Sequence, residues 1–177
     1  MNSFIILLAG ILNMVPANVP ANTITQGMEP LSAITASFSK EEVKEKDLRA
    51  EKIDAYYTER GMPLAGYGKT FVEVADKYGL DWRLLPAISV RESSGGKHLL
   101  SNNPFGWGSC KIPFKNYEEA IDVVGLNLSG NNPNTARYYG TKDNYTKLWY
   151  YNGTVMPTYP DEVLAIMDAF ENTEVNA

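Results

Sequence analysis

The stretch from Gly95 to Pro113 (GGKHLLSNNPFGWGSCKIP) limits the fold more than any other segment, because its four Gly and two Pro interrupt every helical period. On either side of it, apolar residues recur at helical spacing between recognisable starts and stops. Ser39 with Glu42 forms a capping box that predicts a helix to about Arg60, ended by Gly61-Met62-Pro63. A second helix is expected from Tyr67 to Tyr78, with Phe71, Val74, Ala75 and Tyr78 on one stripe and Gly79 as its stop. Asp81 caps a third, from Trp82 towards Ser93, with Pro86 tolerated near its first turns. Downstream, Asn116 with Glu119 opens a fourth helix through Leu128, and a short one covers Asp143 to Tyr151. Pro160 then sits in the first turn of a last helix that ends near Glu171. The expected class is mainly α (α+β), a helical domain with a small loop or β lobe after its third helix.

The 177 residues suit one domain of ordinary size. Phe4 to Val15 is an apolar run too short to span a bilayer comfortably and about right for a signal-peptide core, and Val19-Pro20-Ala21 offers a small-residue cleavage site. Residues 1–21 therefore read as a signal peptide or membrane anchor, 22–38 as a polar linker, and 39–175 as the domain. That predicts a secreted or cell-envelope protein that touches a membrane only through its N-terminus. A net charge of −5 argues against nucleic acid as partner. With one Cys and one His, no internal disulfide and no multi-Cys zinc site can form, and a nucleophile–His pair has only His98 to draw on. No metal or cofactor is expected. His98 reads as a loop residue with a satisfied hydrogen bond, and Cys110 as a small, semi-buried filler.

The chemistry concentrates at the end of the third helix. Leu85, Ile88 and Glu92 fall at i, i+3 and i+7, so the Glu92 carboxylate continues an apolar stripe. A Glu on that stripe is paired with a cation or partly desolvated, and desolvation keeps it protonated nearer neutral pH, as a general acid requires; the alternative is a helix-end Glu that simply turns into solvent. Arg91 is adjacent in sequence but points about 100° away around the helix, so it need not be the partner. Ser93-Ser94-Gly95-Gly96 ends the helix abruptly and is expected to leave free backbone groups beside the carboxylate. Asn102-Asn103-Pro104-Phe105-Gly106-Trp107-Gly108 then interleaves amides and rings with Gly, a composition suited to sugars. One of Phe105 and Trp107 is expected to plug the core instead.

These residues carry a resemblance. Arg91-Glu92-Ser93-Ser94-Gly95-Gly96-Lys97 followed by Asn102-Asn103-Pro104-Phe105-Gly106 resembles the helix-terminal "ES-x-x-G" and "NN-x-FG" turn of the bacterial endo-β-N-acetylglucosaminidase-like family of peptidoglycan hydrolases. Phe114-Lys115-Asn116-Tyr117-Glu118-Glu119-Ala120 is similar to that family's entry into its next helix, and Tyr139-Gly140-Thr141-Lys142-Asp143-Asn144-Tyr145 to its late "Y-x-T-D-x-x-Y" stretch. The likeness covers roughly residues 65 to 170. It implies a lysozyme-like fold, peptidoglycan glycan strands as partner, and cleavage of a β-1,4 bond next to N-acetylglucosamine. It further implies Glu92 as catalytic acid, Tyr145 as a cleft tyrosine near the scissile bond, and Asn103 and Phe105 as shapers of the groove. Pro104 stands where a larger apolar residue is usual, and Trp107-Gly108 where Ile-Lys is common, which alters subsite shape. Trp149-Tyr150-Tyr151-Asn152-Gly153 resembles the "A-Y-N-x-G" run of lytic transglycosylases, which makes Tyr151 a rival to Tyr145. Ser93, Trp107, Tyr151 and Asn152 join Asn103 and Phe105 as expected substrate-binding residues. Core packing is expected for at least one of Tyr150 and Tyr151.

Glycoside hydrolysis usually engages a second carboxylate. Glu118, Glu119, Asp122 and Asp143 are the candidates, and none is marked by its neighbours. Without one, the substrate's own N-acetyl group can act as nucleophile, or an internal attack gives a 1,6-anhydro product. A non-catalytic glycan-binding envelope domain is a further alternative, and an intracellular helical interaction protein, with Phe4–Val15 as part of its core, is another.

Overall fold

The computed structural model describes residues 46–140 and 143–175. The expected signal peptide or anchor, the linker and the Ser39–Glu42 capping box lie outside the described residues. The described chain is mainly helical: α1 (Arg49–Glu59), α2 (Gly68–Tyr78), α3 (Leu84–Ser93), α4 (Tyr117–Leu128), α5 (Ala136–Tyr139), α6 (Asn144–Leu148), a π-helical turn (Trp149–Gly153) and α7 (Tyr159–Glu171). None of these helices is long and apolar enough to cross a membrane.

α3 is the axle. α2, α4 and α7 all pack on it, and Leu84, Leu85, Ala87, Ile88 and Ser89 are buried around its circumference. A helix enclosed on several sides cannot show a clean apolar stripe, so the Leu85–Ile88–Glu92 register captures only one of its buried faces. Pro86 is the third residue of α3, where its missing N–H would have had no intrahelical partner. Its carbonyl accepts the Ser89 hydroxyl at 2.8 Å, and the buried Tyr57 hydroxyl meets Ser89 at 2.8 Å. Tyr57, Phe71, Phe105 and Phe170 form the aromatic centre of the core around this network, each 0% exposed.

Helix ends follow local chemistry. Asn116 caps α4 by accepting the Glu119 N–H at 2.9 Å, while the Glu119 carboxylate reaches back to the Lys115 N–H at 2.6 Å. Gly79 closes α2 with φ +66°, and Pro160 lies in the first turn of α7. α1 starts later than its expected start, at Arg49, where Asp47 accepts the Arg49 N–H at 3.1 Å. α5 is an additional helix of four residues. The expected short helix at 143–151 divides into α6 and the π turn.

The segment after α3 is a loop lobe. Its β character among the described residues is a single bridge between Leu100 and Asn103. Side-chain amides replace a ladder. Asn103 accepts the Trp107 N–H at 3.0 Å and donates to the carbonyls of Trp107 and Ile112, while Asn102 donates to those of Phe114 and Lys115.

Candidate active site

Ser93 fixes the lobe to α3. Its hydroxyl is buried, donates to the carbonyls of Ser89 and Pro104, and accepts the Gly96 N–H at 3.0 Å. The backbone closes the helix as well: Ser94 N–H bonds Val90, Gly95 N–H bonds Ser89, and Ser94, Gly95 and Gly96 all have positive φ. The amides expected to stand free beside the carboxylate are therefore engaged in this closure. Gly95 is required there, since a Cβ would meet Met62 at 2.6–2.9 Å.

Held in this way, the tip of α3 presents Glu92 to a cleft of about 490 Å³, lined by Glu92, Gly106, Trp107, Gly108, Ser109, Tyr139, Tyr151 and Asn152. A second hollow of about 330 Å³ is lined by Glu92 and Gly106 as well, together with Ser93, His98, Leu99, Leu100, Asn103 and Cys110. The carboxylate thus stands where the two hollows meet. Gly106, at φ +62°, brings bare backbone against it: a Cβ there would lie 3.0 Å from Glu92 Oε2.

Glu92 has no ion pair among the described residues. Arg91 turns away, with its Nε 2.5 Å from Glu162 Oε2. The partner of Glu92 is Tyr159, whose hydroxyl donates to Oε1 at 2.7 Å. Burial pushes the Glu92 carboxyl above its ordinary 4.5, opposed by the Tyr159 hydrogen bond and by the charge of Arg91. With Oε1 held by Tyr159, Oε2 faces the Gly106 turn. Tyr159 is wholly buried and stacks on Tyr151 at 5.9 Å with the rings 8° from parallel. The Tyr151 hydroxyl donates to the Phe105 carbonyl at 2.5 Å, tying the π turn to the loop lobe. Burial raises both phenols far above their usual range, so they stay donors.

The expected site residues separate on this geometry. Glu92, Trp107, Tyr151 and Asn152 meet in the main cleft, and the Asn152 side chain has no hydrogen-bond partner among the described residues. Ser93 and Asn103 border the second hollow, but both are buried and their polar atoms serve the loop. Phe105 does not face the groove: it is 0% exposed in the core and reaches the site only through its carbonyl. Tyr145 lines neither hollow, since the register of α6 turns Lys147 and Leu148 inward and leaves Tyr145 41% exposed. Tyr151 packs over the cleft while Tyr150 is exposed, and Cys110 is exposed rather than semi-buried.

Two tyrosines were not anticipated in this role. Tyr159, 67 residues from Glu92, carries no local sign beyond preceding Pro160. Tyr139 stands out in the sequence only as part of a motif. It lines the cleft because Lys147, itself buried, donates to the carbonyls of Tyr139 and Leu128 and so anchors α5 to the end of α4. The chain matches no known family model and no curated protein.

Among the described residues Glu92 is the only carboxylate lining either hollow. Asp122 is engaged by Lys77 and Tyr78, Glu119 by the cap of α4, and Asp143 by the start of α6. Glu118 is exposed. No group of three His, Cys, Asp or Glu residues among the described ones could hold a metal ion. Chemically, the site offers one raised carboxylic acid, bare backbone beside it, and a wall of rings with one free amide.

Proposed function

We propose that this is an exported, lysozyme-like enzyme that cleaves β-1,4 bonds next to N-acetylglucosamine in peptidoglycan glycan strands, with Glu92 as general acid. The observation that carries the reading is the half-buried Glu92, raised by desolvation and opening onto a ring-lined cleft that continues on both sides of the carboxylate. The resemblance of the "ES-x-x-G" and "NN-x-FG" segments to the glucosaminidase family supports it independently. In this reading the Glu92 carboxyl donates its proton to the glycosidic oxygen as the bond from that oxygen to C1 breaks. Tyr159 holds Oε1, so that Oε2 faces the scissile bond. Trp107, Tyr139 and Tyr151 pack on the sugar faces, and Asn152 bonds a hydroxyl or acetamido group.

A single carboxylate favours a second group supplied by the substrate. The acetamido oxygen attacks C1 and water later opens that intermediate, returning a proton to Glu92; the product is a reducing end. Alternatively the C6 hydroxyl attacks C1 and gives its proton to Glu92, leaving a 1,6-anhydro end as in lytic transglycosylases. Digestion of purified sacculi followed by mass spectrometry tests the proposal. Soluble fragments ending in reducing N-acetylglucosamine support the glucosaminidase, and anhydro ends the transglycosylase. Intact sacculi that nonetheless sediment the protein would leave only a glycan-binding domain.

A further inference from the structure

Six aromatic rings follow one another from beneath Glu92 to the molecular surface. Tyr159 stacks on Tyr151 at 5.9 Å, Tyr151 meets Trp107 at 5.7 Å, and Trp107 meets Tyr139 at 6.2 Å. The series leaves the cleft there: Tyr139 contacts Tyr138 at 6.3 Å, and Tyr138 contacts Tyr150 at 5.6 Å. The first four rings are buried or line the cleft. The last two are 39% and 45% exposed, and neither hydroxyl has a hydrogen-bond partner among the described residues.

Packing does not account for the outer pair. Tyr138 belongs to α5 and Tyr150 to the π turn, so two separate elements each hold a large ring outside the core and against one another. Arg137 lies over the Tyr138 ring at 4.6 Å and makes no ion pair among the described residues. Exposed rings continuous with a cleft are a binding surface rather than a scattered surface hydrophobe. Ring faces take the C–H faces of pyranoses, and the steps of 5.6–6.3 Å between rings are on the scale of a sugar ring. A cation beside them suits the carboxylates carried by peptide stems.

We propose that Tyr138 and Tyr150, with Arg137, form an outer glycan subsite that extends the Glu92 cleft and makes the protein prefer long strands over short ones. This rests on the glycan-cleaving reading above. The reaction centre does not include the pair, which acts by holding the strand.

Binding of β-1,4-linked N-acetylglucosamine oligomers of increasing length, followed calorimetrically, and kcat/KM on long and short strands test it together. In the wild type, affinity rises with chain length. In the Tyr138→Ala/Tyr150→Ala variant the ratio of long-strand to short-strand kcat/KM falls about tenfold, mainly through KM, and the length dependence of binding flattens. The Tyr138→Phe/Tyr150→Phe variant keeps the wild-type preference, because the rings and not the hydroxyls are at work. A double-Ala variant with wild-type length dependence in both measurements overturns the subsite while leaving the cleavage reading intact. Length-dependent binding that the double-Ala change abolishes, without any turnover, supports the subsite and removes the catalytic reading. No binding at any length overturns both.

Discussion

Ser93→Ala removes one oxygen that joins three strands of backbone. The Ser89 carbonyl keeps its bond from Gly95 N–H, so it is not orphaned. The Pro104 carbonyl and the Gly96 N–H have the Ser93 hydroxyl as their partner, at 2.9 and 3.0 Å, and both bonds are buried. Leaving two buried groups unpaired at roughly 1.5 kcal/mol each puts the loss near ~3 kcal/mol. For a domain of this size that lowers the melting midpoint by about 10 °C. Urea unfolding followed by tryptophan fluorescence, with an unchanged slope, is the assay. Function falls with stability, since Pro104 lies two residues before Gly106, which abuts the Glu92 carboxylate. A loss below about 0.5 kcal/mol would show that the loop lobe is not held to α3 through Ser93.

Glu92→Gln stabilises the fold at neutral pH. The folded carboxyl is raised above 4.5, so its contribution is fully present below that value and is lost as pH rises through the folded value. The gap in melting temperature should therefore be absent in acid and open towards neutrality, and a gap that instead widens in acid contradicts the assignment. Tyr159→Phe deletes the hydroxyl that favours the ionised form of Glu92, so the alkaline limb of the activity profile moves to higher pH; a downward move refutes the role given to that bond. Lys147→Met removes a buried cation from two helix-end carbonyls, and although burial lowers the Lys147 pKa, the two lost bonds dominate. Chemical denaturation should show a loss of about 2 kcal/mol, whereas an unchanged or raised stability means that desolvation of the ammonium outweighs them.

What was legible in the sequence was local chemistry. Asn116, Gly79 and Pro160 act within one turn of where they sit, and the helices they bound occur as expected. Glu92 is marked less by its register, which a helix-end Glu turning into solvent would share, than by the Gly-rich stop and the amide and aromatic turn that follow it. The start of α1 at Arg49 goes with Asp47, a one-residue signal two positions before it that is easily lost within a charged run. α5 has four residues, too few for any period, and the π turn has a spacing that a 3.6-residue pattern cannot represent. Asn102 and Asn103 were visible as amides, but not that the loop would consume them where a strand ladder is missing. Tyr159 is invisible locally because its place beside Glu92 is set by α7 packing on α3. Tyr145, in α6, is left exposed, whereas Tyr151, in the π turn that follows, lies over the cleft.

The most direct test of Glu92 as the acid is clearance of purified sacculi by the wild type and by Glu92→Gln, with sedimentation measured in parallel. The account predicts that the variant sediments with sacculi as the wild type does and clears them at least ~100-fold more slowly. Clearance by Glu92→Gln at the wild-type rate would contradict it.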